Sequence, residues 1–591
     1  MINRIVSRSA ALGCLCVLAA GCDLEQNPVS ATDATSVFGT EAGLELYSNS
    51  FYEVLPEAED IYHGDTMTDY AAVRGVSEFL RPGAYSPTSR GSWSWDALRN
   101  INFFLLHNEG PEVPQPVRDH YNGLARFYRA VFYFDKVKTY GDVPWIDRPL
   151  DLDDEQQFAG RDSREMVMDH VLEDLDHAIA NISLETDASR TRITKDVALA
   201  WKSRIALFEG TFRKYHAGGL AAGLEDTADF WLQQAADAAE QVMARGTFTL
   251  HQGGGENNSY RELFSSEMAP ASETLLVYPH DVNLGIRHRA NWVYTSATTG
   301  AGFSFVRPFI HTYLNIDGTP FTDRPGYETT TFMEEVVGRD KRLQQTIRLG
   351  DFTRVSAGVE IPSPPLFSQT LTGYHPIKWT VDDIGVDAGN NNTNDIPIFR
   401  YAEVLLNYAE AKAELGTLTA ADWAQTIGAL RARAGITGGL TSLPSRADPY
   451  LQSTYFPDVT DPVILEVRRE RGVELATEGL RFYDIVRWKR GELMEMPWRG
   501  FYVPSVDEHL DLNEDGTPDV YFHLDDAPAD PIQGVFYLDV SGDQRTLSEG
   551  SYGELEWMKN VRRVWEDKLY LYPIAEADLA VNPGLEQNPG W

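Results

Sequence analysis

The stretch that most constrains this chain is Leu124–Tyr140, which reads LARFYRAVFYFDKVKTY and runs straight into GDVP. Apolar side chains at Leu124, Phe127, Tyr128, Val131, Phe134 and Val137 recur at helical spacing. Phe132 and Tyr133 widen that stripe until most of the helix is apolar, so it needs cover on several sides. Gly141 supplies a C-terminal stop, and Pro144 cannot continue a helix. A chain built round such an element must layer other helices against it.

Partners for it are legible. Residues 161–182 predict an amphipathic helix with Ser163 as N-cap and a stripe of Met166, Val167, Val171, Leu172, Leu175 and Ile179. Residues 191–213 predict a second, and 228–245 a third that stops at Gly246. In the third, Ala235, Ala236, Ala238 and Ala239 permit close approach. Helices are also expected at 41–55 and around 93–107, where Trp95 and Asn102 fall on one running from Trp95 to Leu105. Beyond the middle of the chain, PIFRYAEVLLNYAEAKAEL predicts a helix over 397–415, started by Pro397 and stopped by Gly416, with a partner at 420–434. Such pairs predict a mainly α fold, a tetratricopeptide-like helical-repeat array, without a clean period of about 34 residues. From about 250 to 395 the character changes: Gly, Pro, Asn, Asp and Thr become frequent, and short strands such as ETLLVYPH alternate with loops such as VDAGNNNTND. A loop-rich insertion of this size carries function rather than core.

The N-terminus reads as a targeting segment. Arg4 and Arg8 precede an uncharged run, Ala10 to Ala20, that is too short to span a bilayer. Cys22 follows Leu18-Ala19-Ala20-Gly21, which looks like a lipobox with its leucine one position further upstream than usual. Residues 1–21 are therefore expected to be a signal peptide, Cys22 the lipidation site, and 22–40 a polar tether. All three cysteines, Cys14, Cys16 and Cys22, lie in this region, so the remainder must stand on its core without disulfides. No later stretch is apolar enough to span a membrane. The net charge of −37 argues against nucleic-acid binding and against charge-driven docking on anionic lipid.

Four long motifs and one short helical signature bring a resemblance. Ala125, Arg126, Phe127, Arg129, Ala130, Tyr133, Phe134 and Tyr140–Pro144 fit the form ARFxRAxxYFxLxxxYGDVP. Asp174, Leu175 and Ala178 fit an acidic helix signature. RYAEVLLNYAEAKAELG is followed by LRARAG, and ERGVELATEGLRFYDIVRW precedes a terminal LYLYPIAEADLAVNPGLEQNPGW. In this order they resemble the SusD/RagB family of outer-membrane nutrient-uptake lipoproteins, with Gly472 in place of a usual arginine, Ala575 of a proline and Trp591 of a tyrosine. The resemblance implies a single SusD-like domain over 41–591. Its helical core would lie at about 41–250 and 397–490, its ligand-binding insertion at about 250–395 and a closing segment at about 491–591. It further implies a lipid-anchored, outward-facing protein of the outer membrane. Such a protein would act as a lid on a SusC-like TonB-dependent transporter and deliver an oligosaccharide or polysaccharide to it without breaking bonds. A peptide-binding member of the same family, or a surface glycosidase using paired carboxylates, are the alternatives.

Glu470, Arg471, Glu474, Glu478, Arg481, Asp484 and Arg487 form a dense charge run, with Glu470, Glu474 and Glu478 on one helical face. Interleaved arginines would hold those carboxylates ionised, which denies a glycosidase its general acid. There is no GxSxG, HExxH or P-loop, and no catalytic residue is assigned. Asp511, Asn513, Asp515 and Asp519, with Gly516, match the first part of a calcium loop, but Phe522 stands where the bidentate glutamate belongs. Calcium there would be structural; no other cofactor is expected. Sugar faces stack on aromatic platforms flanked by polar groups. By region, the resemblance places ligand contacts just after the first helices and in the insertion, which selects Trp93, Trp292, Tyr294, Trp379, Arg81 and Asp69, with Asp65, Trp95 and Tyr374 nearby.

Overall fold

The structure is a computed structural model that describes residues 37–89, 93–298 and 300–591. Cys22 and the expected signal peptide, residues 1–21, lie outside the described residues. The long helix, α3 (Gln115–Tyr140), starts earlier than its apolar stripe, because Pro116 sits in the first turn and presets the backbone. Before it come α1 (Glu41–Ser48) and α2 (Asp96–His107). Its end is closed by Gly141 at φ 77°. The carbonyl of Tyr140 there accepts from Arg161 Nη2 at 2.7 Å and from Asn588 Nδ2 at 3.0 Å, so the terminal motif caps the first one.

Antiparallel helix pairs then stack. α3 packs on α4 (Arg164–Asn181), whose N-cap is Ser163, accepting from the Met166 N–H. The two are clamped by Arg129, whose Nε and Nη2 reach Asp174 at 2.7 and 2.8 Å in a buried bidentate pair. Met166 points outward, 40 % exposed, and Met168 takes the core place instead. α5 (Lys195–Tyr215) packs on α6 (Ala228–Arg245). The predicted alanines of α6 are buried, and on α5 a Cβ at Gly210 would sit 2.9 Å from the Leu232 nitrogen. Gly246 closes α6 in the left-handed conformation.

The insertion leaves and re-enters through one two-stranded sheet, β2 (Thr274–Tyr278) against β6 (Ile396–Arg400), antiparallel with Val277 opposite Pro397. It holds the short helix α7 (Ala290–Thr295), the strand β3 (Ser304–Phe305), which pairs with β1 (Ala71–Ala72), and the hairpin of β4 (Thr353–Ser356) and β5 (Val359–Pro362). This corrects the expected helix over 397–415. Ile396, Pro397, Ile398 and Phe399 are extended and buried, and helix α8 (Tyr401–Glu414) begins only after Arg400. Strand pairing wins there over helical spacing. The partner at 420–434 is two short helices, α9 (Ala420–Gln425) and α10 (Ile427–Arg433), broken at Thr426.

The charged run is likewise two helices, α11 (Pro462–Glu474) and α12 (Arg481–Arg487), separated by a turn in which Thr477 (φ 62°) and Gly479 (φ 74°) are left-handed. Glu478 lies in that turn, so the expected continuous helical face is corrected. The C-terminal part carries two three-stranded sheets. β7 (Arg499–Val503) and β11 (Arg545–Leu547) flank β12 (Gly553–Trp557), and β8 (His509–Leu510) and β10 (Phe536–Asp539) flank β9 (Val520–His523). One hydrophobic cluster runs from Phe38 to Leu585, and a smaller one joins α8, α9, α10 and α11.

Candidate functional site

The turn between α11 and α12 exists because another segment plugs it. Asp65 accepts from Tyr70 Oη at 2.7 Å, the Gly479 N–H at 3.0 Å and the Arg481 N–H at 3.2 Å. Burial pushes the Asp65 carboxyl up to about 6 against the pull of those donors. The Thr477 N–H donates to Tyr70 Oη at 2.9 Å. Arg481 grips Asp69 through Nε and Nη2 at 2.9 and 2.7 Å, with both residues buried. The segment after the first helices is thereby bolted to the repeat array.

From that anchor the chain reaches the insertion. Ala71–Ala72 pair antiparallel with Ser304–Phe305. Arg74 then donates from Nε to the carbonyl of Gly300 and from Nη2 to that of Ser296, each at 3.1 Å. Between these walls opens a cleft of about 560 Å³, of ordinary size for a small ligand. His63, Thr66 and Arg74 line one side, Gly300 and Ala301 another, and Met494, Trp498 and Arg563 the third.

The predicted aromatics divide sharply. Trp292 is half-buried at the insertion's short helix, with the Arg289 guanidinium 5.2 Å from its ring centre. Arg289 in turn pairs with Glu59, which lies 3.6 Å from His63 on the cleft wall. Burial, ahead of any charge, holds the His63 ring below its ordinary value. Tyr294, expected as a platform, is buried and donates to the carbonyl of Tyr62. Trp379 is a core residue, 0 % exposed, with Nε1 donating to the Thr477 carbonyl at 2.7 Å. Tyr374 is buried with its hydroxyl on Glu335 at 2.6 Å. Trp93, selected as a ligand contact, is buried edge-on between Trp95 and Tyr140, and Trp95 is the more exposed of the two. Asp69, expected at the ligand, is buried as the ion-pair partner of Arg481. Arg81 is exposed and paired with Glu78 at 3.2 Å.

Sequence reasoning missed Arg74, Met494, Trp498 and Arg563. They come from three distant stretches, and no motif or spacing joins them.

Carboxylates of the charged run are internal counter-ions. Glu474 meets Arg433 at 2.5 Å, Arg342 at 2.9 Å and Arg400 at 3.0 Å, and Lys378 meets Glu478 at 2.7 Å. Burial alone would raise Glu474, but the three guanidiniums hold it well below the usual carboxylate range. A second cavity of about 580 Å³ lies among α3, α5 and the α11–α12 turn. Its charges are matched internally, as by Arg471 on Asp484 at 2.8 Å and Arg487 on Glu410 at 2.5 Å.

Asp511, Asn513, Asp515 and Asp519 fall in the β8–β9 hairpin, where their oxygens cap their own backbone. Asp511 accepts from the Gly516 N–H at 2.8 Å, Asp515 from the Thr517 N–H at 2.8 Å, and Asp519 from the Leu512 N–H at 2.7 Å. Among the described residues no group of three or more His, Cys, Asp or Glu is arranged to hold a metal. No helix among them is long and apolar enough to cross a membrane.

Comparison with known proteins agrees with the motifs. The family model for the SusD family matches residues 277–591, more than half of the chain. This chain belongs to the SusD family. A second family model, described as starch-binding and associating with the outer membrane, matches residues 94–207, which take in α3, α4 and part of α5. A SusD-like protein P2 of Formosa agariphila is 24 % identical, covering 80 % of this chain and 88 % of its own. Two Bacteroides fragilis structures share the fold. A SusD-like protein has a TM-score of 0.68 at 19 % identity, covering 95 % of this chain and 99 % of that one. A SusD-like carbohydrate-binding protein has 0.67 at 20 %, covering 93 % and 100 %. Membership gives these motifs a physical sense: Arg129–Asp174 clamps the first helix pair, and Asn588 caps α3.

Proposed function

We propose that this SusD-family protein captures a glycan at the outer membrane and hands it on without cleaving it. The observation that carries the reading is the cleft between residues 63–80, Gly300–Ala301 and the C-terminal segment. Its walls are bolted to the helical array through Asp65 and Asp69, and loops border it. Arg74, Arg563 and Thr66 supply polar contacts on its walls, beside Trp498, whose ring is largely covered, while Trp292 stays half-buried on the insertion's short helix. Relatives described as carbohydrate-binding and surface glycan-binding support the ligand class. Lipidation at Cys22 would tether the chain, and the body would sit as a lid on a SusC-like TonB-dependent transporter, facing outward.

Gentle solubilisation of native membranes followed by capture of this protein tests the lid. A large β-barrel recovered in near-equal amount is expected. Recovery of the protein alone under mild detergent would overturn the transport role. Incubating the purified chain with glycans tests the absence of cleavage: no new reducing ends are expected, and their release would favour the glycosidase alternative.

A further inference from the structure

We propose that the cleft selects acidic saccharides, bearing carboxylate or sulfate groups, over neutral ones; this rests on the cleft being the glycan site. The chain holds 88 Asp and Glu against 51 Lys and Arg, so a cavity without carboxylates stands out. The lining includes Arg74 and Arg563 and, among the described residues, no Asp or Glu; Glu59, behind His63, is already matched by Arg289.

Neither guanidinium forms an ion pair among the described residues. Arg74 is held by the neutral carbonyls of Gly300 and Ser296, which orient it and leave its charge unmatched. Arg563 lies 4.1 Å from the ring centre of Trp498 and donates to the carbonyl of Met496. The acidic group that bears on Arg563 is Glu495, which already accepts from the Trp565 N–H at 2.8 Å. Behind Arg74, Arg545 packs on Trp557 at 5.0 Å, and that indole donates to the Val73 carbonyl at 2.9 Å. Burial, and then the like charge of Arg74, push Arg545 down to about 10. Burial pushes Arg563 down to about 10 as well. The Trp498 indole N–H on the same wall has no acceptor among the described residues.

Arginines inside the array are treated differently: Arg129, Arg481 and Arg487 each face a carboxylate. Buried Arg339 and Arg348 also rest on neutral oxygens, but they are enclosed, whereas Arg74 and Arg563 line an open cleft that a ligand can enter. An anionic sugar substituent would supply the missing counter-charge and two or more charge-assisted hydrogen bonds. On a chain this acidic, the local field of the cleft also sets where such a ligand can approach at all.

The test is calorimetric titration of the purified chain. One arm uses oligogalacturonate and the same oligosaccharide after carboxyl reduction. The other uses sulfated galactan oligosaccharide and its desulfated form. In at least one arm the acidic probe is expected to bind at least about tenfold tighter than its neutral counterpart, with a difference that shrinks in salt. The arm that responds identifies the acid. Arg563→Gln and Arg74→Gln should each remove most of that preference, and Arg74→Lys should keep part of it; circular dichroism monitors the fold. Neutral counterparts that bind as tightly, or arginine variants that keep the full preference, overturn the inference and leave the glycan reading standing. Failure to bind these probes or any of a panel of neutral glycans overturns both.

Discussion

Replacing Asp69 separates two roles that look alike in the sequence. As a surface polar residue near a ligand, Asp69→Asn would lower glycan affinity and leave the fold alone. In the structure Asp69 is buried and forms a bidentate pair with Arg481 at 2.7 and 2.9 Å. Removing one charge of such a pair strands the other, which typically costs about 3–5 kcal/mol. Asparagine keeps the shape, and Asp484 also acts on Arg481, so the lower end is expected. An unfolding entropy of about 2.1 cal/mol/K per residue turns ~3–5 kcal/mol into roughly 2–4 °C of Tm for a chain this long. Differential scanning calorimetry of Asp69→Asn and Arg481→Met, alone and together, reads it. The double variant should recover part of the loss, because no stranded charge remains. An unchanged Tm with weakened glycan binding would refute this assignment of Asp69.

Other consequences follow from the same geometry. Glu335 is buried on His311 at 2.7 Å and Tyr374 at 2.6 Å; burial alone would raise it, but these donors and Arg307 bring it from 4.5 down to about 2. Its contribution of roughly 3 kcal/mol is fully present above pH 4.5 and lost as pH falls toward 2. The Tm gap between wild type and Glu335→Gln should therefore narrow between pH 5 and pH 3 in thermal melts, and a constant gap would contradict it. At Gly479, φ is 74° and a Cβ would sit 2.6 Å from the Asp60 carbonyl oxygen. Gly479→Ala should destabilise by about 1–3 kcal/mol in denaturant melts; a neutral result would show that the turn adapts. A structural calcium on the Asp511–Asp519 hairpin predicts a Tm that rises with added calcium and falls with chelator, and superimposable melts would remove it.

Helices were legible wherever an apolar stripe had its own stop signal. Gly141, Gly246 and Gly416 all mark helix ends, each with a positive φ. Legibility failed where tertiary contacts override local preference. Pro397–Phe399 carry helical spacing, but pairing with β2 holds them extended. The charged run reads as one helix because its periodicity crosses residues 475–480 unbroken; only the Asp65–Tyr70 plug, far away in sequence, explains the left-handed Thr477 and Gly479. Its ion-pair role was legible, since arginines alternate with the carboxylates along the chain itself. Aromatic platforms were the weakest inference. Trp379 and Trp292 sit in similarly polar surroundings in sequence, yet one donates its N–H inside the core and the other stays half-exposed. The cleft's arginines were invisible because Arg74 and Arg563 meet only after the C-terminal segment folds back.

The most direct test of the central claim is a crystal structure of the protein soaked with a bound oligosaccharide. The account predicts one intact glycan in the cleft, in contact with Arg74, Trp498 or Arg563 and bordered by Gly300–Ala301. A glycan seated elsewhere with that cleft empty, or a cleaved product in place of the intact chain, would contradict it.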